Sequence, residues 1–178
     1  MSLPPKYNLL AQHSNNHYIE TGIWRGDSLQ FAREAGFKNI VGIELFQENI
    51  DFCRSRFYLE QYPDVLRLVK GDSAYSLWNV IKDIDEPITF FLDSHSQLFE
   101  DEPKTENPFP LLKELEQIGR HPIKIHTIII DDYLYLTHPK VTGWGNDEIE
   151  KALWKINPEY KISYVANPVV GNLLIAEP

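Results

Sequence analysis

The chain has 178 residues, 43% of them hydrophobic, and a formal net charge of −9. That is enough for one sizeable core and too little for two ordinary domains, so residues 1–178 are expected to form a single domain. The acidic balance and the absence of a Lys/Arg run exclude a general nucleic-acid footprint, and the lone cysteine, Cys53, excludes an intramolecular disulfide or a cysteine metal cluster. With no apolar run approaching about 18 residues and no signal-like N-terminus, a soluble cytoplasmic protein without membrane contact is expected.

Read in chain order, strand-like and helix-like segments alternate. A strand over 17–21 ends in Glu20-Thr21 and is followed by the turn Gly22-Ile-Trp24-Arg-Gly26-Asp-Ser28. The helix after it has Asp27 and Gln30 as a capping box and Gly36 as a C-cap. A second strand, 39–45, carries Glu44-Leu45 at its tip, and Ile50, Cys53 and Phe57 predict the next helix. Strand 65–70 leads into Gly71-Asp72-Ser73 and a helix marked by Leu77, Val80, Ile81 and Ile84. Strand 87–92 precedes Asp93-Ser-His95, and Leu111, Leu112, Leu115 and Ile118 predict a helix with Pro110 in its first turn and Gly119 at its C-cap. Strand 125–131 runs into Asp131-Asp132-Tyr133; a helix through Ile149, Leu153 and Ile156 and strands 160–166 and 172–177 complete the chain.

This alternation predicts a doubly wound α/β fold with a seven-stranded sheet. The continuous apolar runs Ile88–Leu92 and Thr127–Ile130 fit central parallel strands covered on both faces. The link from Ala166 to Gly171 is too short for a parallel crossover, so the last strand is expected to be antiparallel.

The first βαβ unit has the layout of a nucleotide-like cofactor site, in which Gly22 and Gly26 allow tight turning and Glu44 can accept from two ribose hydroxyls. Its glycines lack the G-x-G-x-x-G spacing of the dinucleotide fingerprint. Open α/β sheets bind ligands at the carboxyl ends of their strands, where this chain carries Glu20, Glu44, Asp72, Asp93, Asp131 and Asp132. Six carboxylates at five strand ends repel one another unless a ligand relieves them, although helix capping is the alternative at Asp72 and at Asp131-Asp132.

The turn resembles motif I of the class I S-adenosylmethionine-dependent methyltransferases, E/D-x-G-x-G-x-G, with Trp24 at the middle glycine. The variant E-x-G-x-aromatic-x-G-x-S, matched by Glu20, Gly22, Trp24, Gly26 and Ser28, is similar to the metal-dependent O-methyltransferases of catechol and macrocin type. The resemblance runs from Tyr18 to Pro178 and implies a Rossmann-like methyltransferase fold, a mostly parallel seven-stranded sheet with an antiparallel last strand. It implies S-adenosylmethionine as cofactor, held at Glu20, Thr21, Gly22, Trp24, Gly26, Ser28, Glu44, Leu45, Asp72, Ser73 and Asp93. Within that set Glu20 sits under the methionine part, Glu44 takes the ribose, and the Asp72-Ser73 turn flanks the adenine.

It further implies Mg²⁺ held by Asp93, Asp131 and Asp132, where a metal lowers the pKa of a bound hydroxyl. His95, beside Asp93, is the candidate general base; the catechol-type enzymes carry a lysine three residues past the aspartate, where this chain has Ser96. The segments Ser96–Pro108 and Tyr133–Gly145 are expected either to shape the acceptor pocket or to be a solvated acidic loop and packed aromatics. The expected acceptor is a small molecule such as a sugar, phenol or amine, and a homodimer is left open. A metal-independent methyltransferase, a non-catalytic cofactor-binding module and an NAD-dependent oxidoreductase are the alternatives.

Overall fold

In the computed structural model, which describes residues 5–57, 65–95, 105–167 and 171–178, one sheet runs through the molecule. Its strands are β1 (His17–Thr21), β2 (Asn39–Glu44), β3 (Leu66–Lys70), β4 (Ile88–Leu92), β5 (Thr127–Ile130), β6 (Lys161–Asn167) and β7 (Gly171–Glu177), in the order β3-β2-β1-β4-β5-β7-β6. Strands β1 to β5 pair in parallel, and β7 is antiparallel to both its neighbours, β5 and β6. The helices are α1 (Pro5–Gln12), α2 (Asp27–Ala35), α3 (Gln47–Phe57), α4 (Ser73–Ile81), α5 (Leu111–Arg120), α6 (Tyr133–Leu136) and α7 (Asn146–Ile156). No helix among the described residues is long and apolar enough to cross a membrane.

The two-residue alternation of strands builds a core on each face of the sheet. Ile88, Phe90 and Leu92 of β4 and Ile128 and Ile130 of β5 pack with Leu77 and Ile81 of α4, Leu115 and Ile118 of α5 and Leu153 of α7. Phe91 and Ile129 face the other way, against Leu29 of α2, Ile50 and Cys53 of α3 and Leu10 of α1. Because both faces are covered, β4 and β5 read as unbroken apolar runs. The chain leaves β1 toward β2 on one side and reaches β4 on the other, so the carboxyl ends of β1 and β4 flank the switch point where such sheets open a crevice.

Two local expectations change, and two helices are added. Gly26, left-handed at φ 78°, is the N-cap of α2, so Asp27 lies inside the first turn and caps nothing; its carboxylate pairs with Arg56 at 2.6 Å. Helix α5 runs through Gly119 to Arg120, and His121 is its C-cap. Helices α1 and α6 were not legible: Leu9 and Leu10 are adjacent rather than spaced by a turn, and α6 is only four residues long.

At the opposite end of the sheet, His121 and His126 are fully buried. The backbone N–H of Ile88 donates to His126 Nδ1 (3.1 Å), which leaves the proton on Nε2 to face His121 Nδ1 at 3.1 Å. His121 Nε2 then faces the carbonyls of Ile81 (3.1 Å) and Ile84 (2.9 Å). The chain is satisfied only when the His126 ring is neutral, because a second proton on it would remove the acceptor for Ile88. Burial, with His121 and Lys124 alongside, pulls the His126 pKa down to about 3. An unfolded histidine titrates near 6.5, so the unfolded chain binds the extra proton first and stability falls as pH drops from 6.5 toward 3. The expected loss from this group is at most about 1.4 kcal/mol per pH unit. Denaturant unfolding between pH 4 and 6 should show a shallower pH slope for His126→Gln; equal slopes refute the neutral, buried His126.

Candidate cofactor and acceptor site

The turn after β1 is held by two buried carboxylates. Glu20 is fully buried beneath it, accepting from Tyr18 Oη at 3.1 Å and Ser28 Oγ at 2.5 Å. Glu44, at the end of β2, accepts from the backbone N–H of Trp24 (3.0 Å) and of Phe46 (2.8 Å), one on each oxygen. The first of these bonds explains how tryptophan can occupy a motif position usually given to glycine. Trp24 is left-handed at φ 43°, a conformation that needs outside support in a residue with a side chain, and the Glu44 carboxylate provides it. Its indole is largely exposed, and the Arg25 guanidinium lies over both that ring (5.6 Å) and the Phe52 ring (5.0 Å).

Beside this turn a cavity of about 510 Å³ opens at the switch point, within the range of roughly 300–1,000 Å³ usual for small-molecule sites. Gly22, Trp24, Glu44, Leu45, Asp72, Ser73, Asp93, His95 and Asp132, all candidates from the sequence, line it. Ile43, Phe46, Glu48, Asn49, Gly71, Ser94, Thr105, Asn107 and Pro110 join them. Glu20, Thr21, Gly26, Ser28 and Asp131 are not in that wall. A Cβ on Gly26 would lie 2.7 Å from the Phe57 ring and 3.0 Å from Cys53 Sγ, so this glycine lets α3 pack against the turn. The only described non-glycine residues with positive φ, Trp24 and Asp132 (φ 51°), both line the cavity, as strained residues at functional sites often do.

Asp72 has both roles weighed for it. Its Oδ1 caps α4 by accepting from the Ala74 N–H (2.9 Å), while Oδ2 faces the cavity side and accepts from Asn107 Nδ2 (2.7 Å). Asn107 in turn accepts from Lys113 Nζ (2.7 Å), which also donates to Tyr75 Oη (3.0 Å) and lowers the Tyr75 pKa. Asn107 is thereby tied to the start of α4 and to α5, with Thr105 and Pro110 beside it in the cavity lining. The rest of the expected acceptor segment, residues 96–104 including Ser96, lies outside the described residues. In the second segment, Tyr133 is buried and Trp144 packs on Phe109 with ring centroids 6.4 Å apart, whereas Tyr135 stands beside His95 at 6.5 Å.

At the far end of the cavity, Asp93 from the end of β4 and Asp132 from the end of β5 converge with His95. His95 Nε2 lies 3.3 Å from Asp93 Oδ1 and 3.1 Å from Asp132 Oδ2, and the three donor atoms fall within 4.8 Å of one another. Burial pulls the His95 pKa down, but the adjoining Asp132 carboxylate and the charges of Asp93 and Asp131 outweigh it and the net direction is up. Asp131 is not one of this converging group: it is buried, and its Oδ1 accepts from the Asp132 N–H at 2.8 Å. His95, rather than Asp131, completes the converging set. Two carboxylates and an imidazole from adjacent strand ends have the donor chemistry of a divalent-cation site, so the residues present fit such an ion.

One supporting residue went unread. Glu114 of α5 is buried and accepts from Ser94 Oγ at 2.5 Å, while Ser73 Oγ donates to Ser94 Oγ at 3.2 Å. Burial raises its pKa, and the hydroxyls of Ser73, Ser94 and Thr21 oppose that rise. Glu114 thus fastens the loop carrying Asp93 and His95 to α4 and α5. The signal was present, since Glu114 sits three residues after Leu111 and four before Ile118, inside the apolar stripe.

No protein-family model and no curated protein sequence matches the chain. Among solved structures, an O-methyltransferase from Bacillus cereus in complex with S-adenosylhomocysteine superposes with a TM-score of 0.70 over 99% of this chain and 82% of that one, at 14% identity. TomG, the Streptomyces achromogenes O-methyltransferase of tomaymycin synthesis in complex with S-adenosylmethionine, matches at 0.65 over 97% and 77%, with 13% identity. A methyltransferase of Podospora anserina bound to S-adenosylhomocysteine matches at 0.65 over 97% and 75%, with 16% identity. The fold is that of the class I methyltransferases. In this fold, the cavity stands at the carboxyl ends of β1, β2 and β4, beside the turn between β1 and α2.

Proposed function

We propose that the chain is an S-adenosylmethionine-dependent methyltransferase that methylates a hydroxyl of a small molecule, with a divalent metal at the acceptor end. The observation that carries this reading is the charge of the cavity. Glu44, Glu48, Asp72, Asp93 and Asp132 line it, and its described lining holds neither lysine nor arginine. Such a wall attracts a sulfonium and an ammonium and repels a pyrophosphate, which favours S-adenosylmethionine over the dinucleotides that use a similar βαβ layout. Glu44 keeps lone pairs for ribose hydroxyls after accepting its two N–H groups, because an ionised carboxylate has about four acceptor positions.

In the transfer, a lone pair of the acceptor oxygen attacks the methyl carbon and the sulfur–carbon bond breaks. Its electron pair remains on sulfur, leaving S-adenosylhomocysteine. The acceptor proton must also depart to a base, and the carboxylates of Asp93 and Asp132 stand among the residues lining that cavity. A divalent cation held by Asp93 and Asp132 would supply Lewis acidity that lowers the hydroxyl pKa. Glu20 and Ser28 bond to each other and shape the turn, and Glu114 steadies the Asp93–His95 loop. Residues 1–178 are taken as one catalytic domain acting in the cytoplasm.

Calorimetry with S-adenosylhomocysteine and with NAD⁺ tests the cofactor assignment. We expect S-adenosylhomocysteine to bind and NAD⁺ to leave the cell silent. Binding of NAD⁺ alone, or of neither ligand by folded protein, overturns the reading. Transfer that survives excess chelator would leave the methyltransferase and remove its metal.

A further inference from the structure

His95 cannot serve both as proton acceptor and as metal ligand through the same nitrogen, since a coordinated lone pair is no longer basic. We infer that His95 is a ligand: Asp93, His95 and Asp132 hold the cation, Asp131 stands behind them, and the site selects a transition metal such as Mn²⁺ over Mg²⁺. The inference rests on the methyltransferase reading of this cavity and specifies its metal.

Three observations support it. First, neighbouring donors around a cation at 2.0–2.2 Å are spaced by about 3.0–3.3 Å. The separations of His95 Nε2 from Asp93 Oδ1 and Asp132 Oδ2, 3.3 and 3.1 Å, match that spacing. Secondly, the His95 side chain is only 10% exposed, and its buried Nε2 meets both carboxylates without a well-aligned hydrogen bond to either. A charge-assisted Asp–His pair would normally align one oxygen with the N–H at about 2.7–2.9 Å; here the two oxygens share the nitrogen instead. Thirdly, Asp131 is occupied in another way. Its bond to the Asp132 N–H supports the left-handed backbone that brings the Asp132 carboxylate inward. An imidazole nitrogen in the set suits Mn²⁺, Fe²⁺, Co²⁺ or Zn²⁺ better than Mg²⁺, which prefers oxygen ligands and keeps several waters.

The test uses the full chain titrated with Mn²⁺, with free ion followed by electron paramagnetic resonance and bound ion by pulsed measurements that detect a coordinated ¹⁴N. Wild type should bind one Mn²⁺ with imidazole-nitrogen modulation, and Mg²⁺ should compete at least about tenfold more weakly. His95→Ala should lose the modulation and at least about tenfold in Mn²⁺ affinity, whereas Asp131→Asn should keep the modulation. Calorimetry with S-adenosylhomocysteine on the same samples checks that each variant is folded, and the wild-type nitrogen signal is decisive without any variant. Bound Mn²⁺ lacking nitrogen modulation, undiminished affinity in folded His95→Ala, or no Mn²⁺ binding overturns the inference. If S-adenosylhomocysteine still binds in those cases, the methyltransferase reading survives; if wild type does not bind it, that reading fails on its own account.

Discussion

Replacing Glu44 with Ala is expected to weaken S-adenosylhomocysteine binding by about tenfold or more. Charge-assisted hydrogen bonds contribute on the order of 1.5–3 kcal/mol, and about 1.4 kcal/mol corresponds to a factor of ten. The substitution acts by two routes, because the carboxylate that would receive the ribose also accepts from the N–H of Trp24 and of Phe46. A 2′-deoxy analogue of S-adenosylhomocysteine separates them. Wild type should lose affinity for the analogue, and Glu44→Ala should bind analogue and parent alike, since it no longer has an acceptor for the missing hydroxyl. Equal binding of the two by wild type removes the ribose assignment, even if Glu44→Ala weakens both through the turn.

The sheet was legible because parallel strands buried on both faces leave a direct trace in composition. Ile88–Leu92 and Thr127–Ile130 have no polar position facing water, and the expected strands 87–92 and 125–131 fall within a residue or two of β4 and β5. The antiparallel β7 followed from chain length alone, since six residues cannot cross a sheet. Strand-end carboxylates were legible for the same topological reason: Glu44, Asp72, Asp93 and Asp132 all reach one cavity because parallel strands end on one side. The direction of each side chain was not. Asp131 and Asp132 are adjacent and chemically identical, yet only Asp132, which is left-handed, lines the cavity, while Asp131 accepts from its N–H. Glu20 and Ser28 match the motif as residues, yet they bond to each other beneath the turn. Gly26 matches it too, and the structure shows that its missing side chain makes room for Phe57.

Gly22 is where this distinction has its largest consequence. From the motif, Gly22→Val would be expected to block cofactor approach in an otherwise intact fold. In the structure a Cβ at this position would lie 2.3 Å from the Asp93 carbonyl oxygen and 2.7 Å from Ser94 Cα, both backbone atoms that cannot rotate away. Gly22 is also left-handed at φ 75°, a region that a β-branched residue strongly disfavours. The substitution must therefore separate β1 from the end of β4, disturbing the Asp93 N–H bond to Thr21 O (3.0 Å) and the loop that carries His95. We expect destabilisation of more than about 4 kcal/mol, at the extreme of single substitutions, and a Tm lower by roughly 10 °C or more. Gly36→Ala is the matched control. Its φ of 93° is equally left-handed, but a Cβ there meets nothing within 4 Å, so strain alone should cost about 1–2 kcal/mol. Thermal unfolding of both variants decides between the two roles of Gly22: a Gly22→Val protein that melts like Gly36→Ala and merely fails to bind S-adenosylhomocysteine would return this glycine to the cofactor and refute its part in joining the strand ends.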